Sequence, residues 1–283
     1  MTRDGETTIL LDGLTFPEAP RWRDGKLWFS DFYSHRVIRV GLDGRAETIV
    51  EVPQRPSGLG WTPESALLIV SMLDRRLMRV EDGTLRLVAD LSGLATGPCN
   101  DMVVDGQGRA YVGNFGFDRH AGEPERATCI ARVDPDGKVT RVADDLSFPN
   151  GTVITADNRR LIVGETFTKR LTVFDVARDG ALTNRRVFAQ FDDCYPDGIC
   201  LDAEGAIWVA DARGNRVIRV FEGGRIERTI LTGAQGAFAC MLGGDDRRTL
   251  FICTCSGSGP AMGSKREGRI ELVRVDVPGA GLP

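Results

Sequence analysis

Histidine is scarce in this 283-residue chain: only His35 and His120 occur. That excludes a multi-histidine zinc centre. A Ser-His-Asp hydrolase would need one of the two, and the G-x-S-x-G elbow that often presents its serine is absent. Long apolar runs are missing as well. None approaches the ~18 residues of a membrane-spanning helix, and the opening MTRDGETTILLDG holds no apolar segment of the kind a secretory leader carries. A soluble protein of the cytoplasm, with no membrane partner, is expected. Charge of one sign is nowhere concentrated: 36 basic and 40 acidic residues, net −4, lie in short mixed runs, so no footprint for a nucleic acid emerges. The seven cysteines (Cys99, Cys129, Cys194, Cys200, Cys240, Cys253, Cys255) are odd in number and lack a disulfide framework, which predicts reduced thiols packed in the core or near a site. Cys253 and Cys255 form C-x-C, a spacing open to a soft metal but also produced by alternate residues on one face of a strand. No segment sustains a 3.6-residue apolar period, so helices should be nearly absent.

What is present is repetition. Short apolar strands recur as LWFSD from Leu27, LIVSM from Leu68, AYVGN from Ala110, LIVGE from Leu161, IWVAD from Ile207 and LFICT from Leu250, with starts 41, 42, 51, 46 and 43 residues apart. Each follows a matching point ten to thirteen residues upstream: Pro17, Pro56, Pro98, Pro149, Pro196 and, without the proline, Ala237. Each precedes another alternating strand, and five units add a fourth, such as AETIVEV or IERTIL. Four strands per unit of this length read as propeller blades, so the fold expected is an all-β six-bladed β-propeller. The sixth unit lacks a fourth strand, while TTILLDG is spare at the N-terminus; pairing the two closes the ring and removes exposed edges. At 42% hydrophobic, residues 1–283 can form a single domain with a full core. Trp22, Trp28, Trp61 and Trp208 are expected inside blades.

FPNG (Phe148–Gly151) and YPDG (Tyr195–Gly198) contain strong turn tripeptides, so Asn150 and Asp197 have a bland reading as turn residues. Register across the blades favours another. In a propeller the first strand of each blade lines the central channel, and the positions after the leading residue form a ring at its mouth: Glu18, Ser57, Cys99 with Asn100, Asn150, Asp197, and Phe238 with Ala239. Four of six blades place a carboxylate or carboxamide there, an arrangement costly to bury unless a cation is shared. Oxygen donors of this kind suit calcium, magnesium or manganese. Such a cation would polarise a substrate carbonyl and acidify a water, with Asp197 able to take the proton. Cys99 adjoins the site, though no histidine stands beside it in sequence.

The motifs FPEAPRW, NDMVVDGQGRAYVGN, FPNGTVITADNRRLIV and YPDGICLDAEGAIWVAD resemble those of the regucalcin, gluconolactonase and luciferin-regenerating enzyme family over essentially the whole chain. The resemblance implies that Glu18, Asn150 and Asp197 hold one catalytic divalent cation, calcium foremost, with magnesium, manganese, iron(II) or zinc as alternatives. It also implies that Asn100 sits beside them as a catalytic and substrate-binding residue, contacting substrate or a metal-bound water, and that the reaction is lactone hydrolysis. Sugar-lactonase relatives commonly carry an arginine two residues before the position of Asn100. Here that residue is Pro98, so the expected substrate is a lactone in general, a sugar lactone or another small lactone or ester, rather than a sugar acid derivative in particular.

Long loops over the same face should select the substrate: Phe115–Thr128, with Phe117 and His120 as candidate contacts, and Cys255–Gly268, with Met262 as an apolar wall. Asp101, next to Asn100, is a further candidate for substrate binding. Two other classes stay open: a phosphorus-ester hydrolase of the diisopropyl fluorophosphatase type, and a propeller that binds a metal or partner without catalysis. The latter has no reason to ring its mouth with oxygen ligands.

Overall fold

The computed structural model describes residues 6–281, so the first five residues of the N-terminal segment and the last two of the chain lie outside the described residues. Six four-stranded antiparallel sheets form the expected propeller. The first blade runs outward from Pro17–Arg23 through Lys26–Asp31 and Arg36–Val40 to Ala46–Glu51. Innermost strands of the next four are Pro56–Trp61, Cys99–Val104, Pro149–Ile154 and Pro196–Leu201. The sixth blade contains Gly236–Gly243, Thr249–Cys255 and Gly268–Arg274, and its outer edge is closed by Thr8–Leu14, as the spare N-terminal strand predicts. Each innermost strand packs against those of its two neighbours, which completes the ring. Among the described residues, helix is confined to a 3-10 turn, Phe32–Ser34, and one α-turn, Met262–Lys265; none is long and apolar enough to cross a membrane.

Alternation within strands sends apolar side chains into the seams between blades, because a sheet buried on both faces must fill the gap to each neighbour. Trp28, Leu59, Trp61 and Ile69 fill the first seam, with the two indoles meeting edge to face at 5.5 Å. Trp208 is buried between the fifth and sixth blades, and Trp22 stacks on Phe251 at 5.3 Å. All seven cysteines are free and buried.

One backbone irregularity repeats six times. In each blade the innermost strand carries an extra residue against its partner just after its start: between Glu18 and Arg21, Pro56 and Leu59, Cys99 and Met102, Pro149 and Thr152, Pro196 and Ile199, and Ala237 and Ala239. A bulge of this kind bends the strand and re-aims one side chain. It falls on the ring positions, so side chains that would otherwise enter a seam turn into the channel mouth. In the third blade Cys99 occupies the register held elsewhere by proline, since Cys99 faces Asn114 as Pro149 faces Glu165.

The tripeptides PNG and PDG are therefore not turns; both lie inside innermost strands. Their glycines serve close approach. A Cβ on Gly151 would stand 2.5 Å from the Asp197 carbonyl oxygen and 2.6 Å from Gly198 Cα in the next blade. Only a residue without Cβ lets the strands bearing Asn150 and Asp197 come this near.

Candidate active site

Buried carboxylates at the ends of second strands fix the chain that leads into the site. Asp31 Oδ1 accepts the backbone N–H of Thr15 (2.9 Å) and of Phe16 (2.8 Å), just ahead of Glu18. Glu165 Oε2 accepts the Ser147 N–H at 2.9 Å, ahead of Asn150, and Asp211 Oδ1 accepts the Tyr195 N–H at 3.0 Å, ahead of Asp197. Each acid is fully buried and paired with an arginine: Arg36, Arg170 and Arg216 respectively. These acids end the motifs LWFSD, LIVGE and IWVAD, whose terminal charge was the available sequence signal.

Four side chains then converge on the mouth. Glu18, Asn100, Asn150 and Asp197 are 9%, 5%, 6% and 8% exposed and all line one pocket, which encloses about 810 Å³ of space continuous with solvent. A hydrogen-bond chain links the carboxamides around the ring. The Ser57 hydroxyl donates to Asn100 Oδ1 (3.2 Å), Asn100 Nδ2 donates to Asn150 Oδ1 (2.8 Å), and Asn150 Nδ2 reaches Thr166 Oγ1 (3.3 Å). Thr166 in turn donates to the Pro196 carbonyl at 2.7 Å. This orients Asn150 with one lone pair of Oδ1 engaged and the other free.

The carboxylates are differently placed. Of the buried acids, Asp31, Asp101, Asp105, Glu165, Asp202 and Asp211 each face an arginine. Among the described residues Glu18, Asp197 and Glu271 face none within ion-pair distance; Glu271 accepts the hydroxyls of Thr7 and Thr254, whereas Glu18 Oε2 accepts only the Ala19 N–H, at 3.1 Å. Burial, then the charge of Asp197, pushes the Glu18 carboxyl well above its usual range. Burial, then the charge of Asp101, pushes Asp197 up to about 8, against a hydrogen bond from Asn150. Both acids are raised by burial, Glu18 also by the charge of Asp197, and neither has a basic partner within ion-pair distance. The donor set fits a hard divalent ion: two carboxylates to balance its charge and a carboxamide oxygen beside them. Among the described residues no three His, Cys, Asp or Glu side chains gather as a metal cluster, because half of this set is asparagine.

Other sequence expectations resolve unevenly. His120 and Phe115 line the pocket from the Phe115–Thr128 loop, and Ser258 and Gly259 line it from the Cys255–Gly268 loop. His120 is pushed down by burial, then by Arg119 and Arg55. Phe117 packs behind the wall against Phe148 and Phe167, at 6.0 and 6.1 Å. Asp101 does not line the pocket, because its Oδ1 is held by Arg21 Nη2 at 2.7 Å and by the Met102 N–H at 2.8 Å. Met262 lies in an apolar cluster with Phe16, Phe32 and Phe238 rather than on the pocket surface. Cys99 is buried in the seam between the second and third blades, and burial pushes its thiol up to about 12, which removes it as a nucleophile at neutral pH. Arg55, Arg119 and Arg213 line the pocket without having been singled out from sequence.

The sequence profile of the SMP-30/Gluconolactonase/LRE-like region matches residues 16–256. The chain belongs to this family. Its SMP-30/gluconolactonase-like relatives include a pentonolactonase of Haloferax volcanii, 29% identical over 94% of this chain and 92% of the relative. Regucalcin of Danio rerio is 26% identical over 83% of this chain and 81% of the relative. A solved gluconolactonase from Xanthomonas campestris superposes with a TM-score of 0.77 at 26% identity, covering 96% of this chain and 89% of the other.

Proposed function

We propose that the protein opens the ring of a small lactone with water at the mouth of its central channel, and that Glu18, Asn150 and Asp197 hold a divalent cation there, calcium foremost. The observation that carries this reading is the pair of buried carboxylates, Glu18 and Asp197, with no basic partner between them. The lactonase names of two relatives, the pentonolactonase and the gluconolactonase, support the reaction class.

When bound, the cation would polarise the lactone carbonyl and lower the pKa of an attacking water. The chain's own groups do the rest. Asn100 and Ser57 fix the Asn150 carboxamide through the hydrogen bonds described above. Asp197 takes the proton of the attacking water at its carboxylate. The water oxygen bonds to the carbonyl carbon, the ring C–O bond breaks, and the departing alkoxide is protonated, giving a hydroxy acid that releases one proton at neutral pH. The aromatic wall, including Phe16, Phe148, Phe167 and Phe238, limits water around the reacting carbonyl.

Proton release from γ- and δ-lactones, aldonolactones, aryl esters and a phosphotriester, measured with each divalent metal after EDTA treatment, tests this directly. Lactone opening that EDTA abolishes and one metal restores is the expected result. Full turnover in excess EDTA, or preference for the phosphotriester, would remove the reading.

A further inference from the structure

The pocket is also lined by three arginines that the reaction does not use. Arg55 stands just before the innermost strand of the second blade, Arg119 in the long loop of the third, and Arg213 in a loop of the fifth, and all three line the pocket. Most arginines of this protein are paired with acids, as Arg21, Arg109, Arg170, Arg216 and Arg219 are. Among the described residues, the guanidiniums of Arg55, Arg119 and Arg213 have no acid within ion-pair distance and no side-chain hydrogen bond. The Nε of Arg55 is buried without any partner.

Two of the three are held in place by rings instead. The Arg55 guanidinium lies over Tyr33, 4.7 Å from its centroid, and that of Arg213 over Tyr195 at 4.3 Å. Stacking fixes the plane of a guanidinium and leaves its N–H edge free. Arg119 acts on Asp197 and, with Arg55, on His120, so the charges share one space. Like charges brought together without counterions repel, and an anion taken from solution relieves them. Six phenylalanines line the same pocket and favour an apolar body, beside the hydroxyls of Tyr33, Thr166, Tyr195 and Ser258.

We infer that the substrate is a lactone bearing an oxyanion, a carboxylate or sulfonate, on an otherwise apolar body, and that Arg55, Arg119 and Arg213 receive that anion. The inference rests on the lactone-opening reading. A guanidinium edge matches a planar carboxylate with two parallel N–H donors, and it accepts a sulfonate through the same edge. The anion then anchors the substrate at the arginines while the ring carbonyl reaches the oxygen ligands.

The test compares 5-oxotetrahydrofuran-2-acetate and the matching 2-methanesulfonate with γ-caprolactone, in which an ethyl group replaces the acidic arm. Wild-type kcat/KM should favour a charged lactone by about 10-fold or more, mainly through KM, and the preference should shrink with added salt. Which charged arm is preferred tells carboxylate from sulfonate. Arg55→Met and Arg213→Met should each reduce the charged-to-neutral ratio by about 10-fold, with Arg55→Lys recovering part of it. A ratio unmoved by both methionine variants, or a wild type that prefers γ-caprolactone, overturns the inference while leaving lactone opening intact. Calorimetric titration with phenylacetate against phenylacetamide reads anion capture without turnover. Phenylacetate binding that weakens in Arg55→Met supports the arginine site even where no lactone is opened, and equal binding of the two probes counts against it.

Discussion

Replacing Asp197 by Asn should make the metal-free protein more stable and the enzyme inactive. Asp197 and Glu18 are buried together without a basic partner, and burial and neighbouring charge lift the Asp197 carboxyl from 3.8 to about 8. A carboxyl raised in this way keeps its proton longer in the folded than in the unfolded state. The folded state is then penalised progressively as pH climbs from about 4 toward 8, and the penalty is absent below the ordinary value. Forcing protonation up to neutral pH costs at most about 4 kcal/mol, and water reaching the open mouth reduces that to about 2 kcal/mol. Asn keeps the shape and removes the titration, so in EDTA at pH 7.5 the variant should melt about 5 °C above wild type. At pH 4 the two should coincide. Excess calcium should raise the wild-type midpoint by mass action and leave the variant unmoved, which reverses their order. Lactone kcat/KM should fall by about 100-fold or more. Differential scanning fluorimetry at both pH values, with EDTA and with calcium, provides the readings. A variant no more stable than wild type at pH 7.5, or a gap that persists at pH 4, would refute the argument that these carboxylates are an uncompensated pair.

Two further substitutions probe the frame. Gly151→Ala drives a methyl into the backbone of the fifth blade at Asp197 and Gly198, so it should cost about 3 kcal/mol and, by separating the strands that carry Asn150 and Asp197, reduce lactone turnover together with calcium affinity. Wild-type stability in this variant would mean that the strands can part freely. Burial works to raise the Glu165 carboxyl, but hydrogen bonds from Arg170, Thr172 and the Ser147 N–H outweigh it and hold the group below 4.5. Its contribution is present above 4.5 and is lost as pH falls through the lowered value. Glu165→Gln should therefore lower stability at pH 7 by about 3 kcal/mol and narrow its deficit toward pH 3; urea midpoints across that range decide it.

The sequence carried the architecture because the blades repeat one pattern: a buried innermost strand, led by proline in four of them, and a second strand that ends in an acid in three. Glu18, Asn100, Asn150 and Asp197 share a register, so their convergence was readable once six blades were counted. The bulge that turns them into the mouth was not readable, since an extra residue in a strand leaves no mark until its partner is known. The same limit explains PNG and PDG, whose glycines look like turn residues locally and answer to the neighbouring blade in three dimensions. Asp101 follows Asn100 in sequence, yet the bulge sends it to Arg21, eighty residues away. Arg55, Arg119 and Arg213 come from three blades with no common motif, and only the ring brings them together.

Closure by Thr8–Leu14 on Gly268–Arg274 sets the order in which the molecule can be made. Thr8–Leu14 is synthesised long before its partner Gly268–Arg274, so the first five blades can form before the sixth is closed. Until then the growing chain exposes an unpaired sheet edge and an open seam beside Phe251 and Trp22. Contacts this distant in sequence form slowly, and open edges recruit other chains. Expression should therefore be most sensitive to changes at the N-terminal strand, far from any residue that touches substrate.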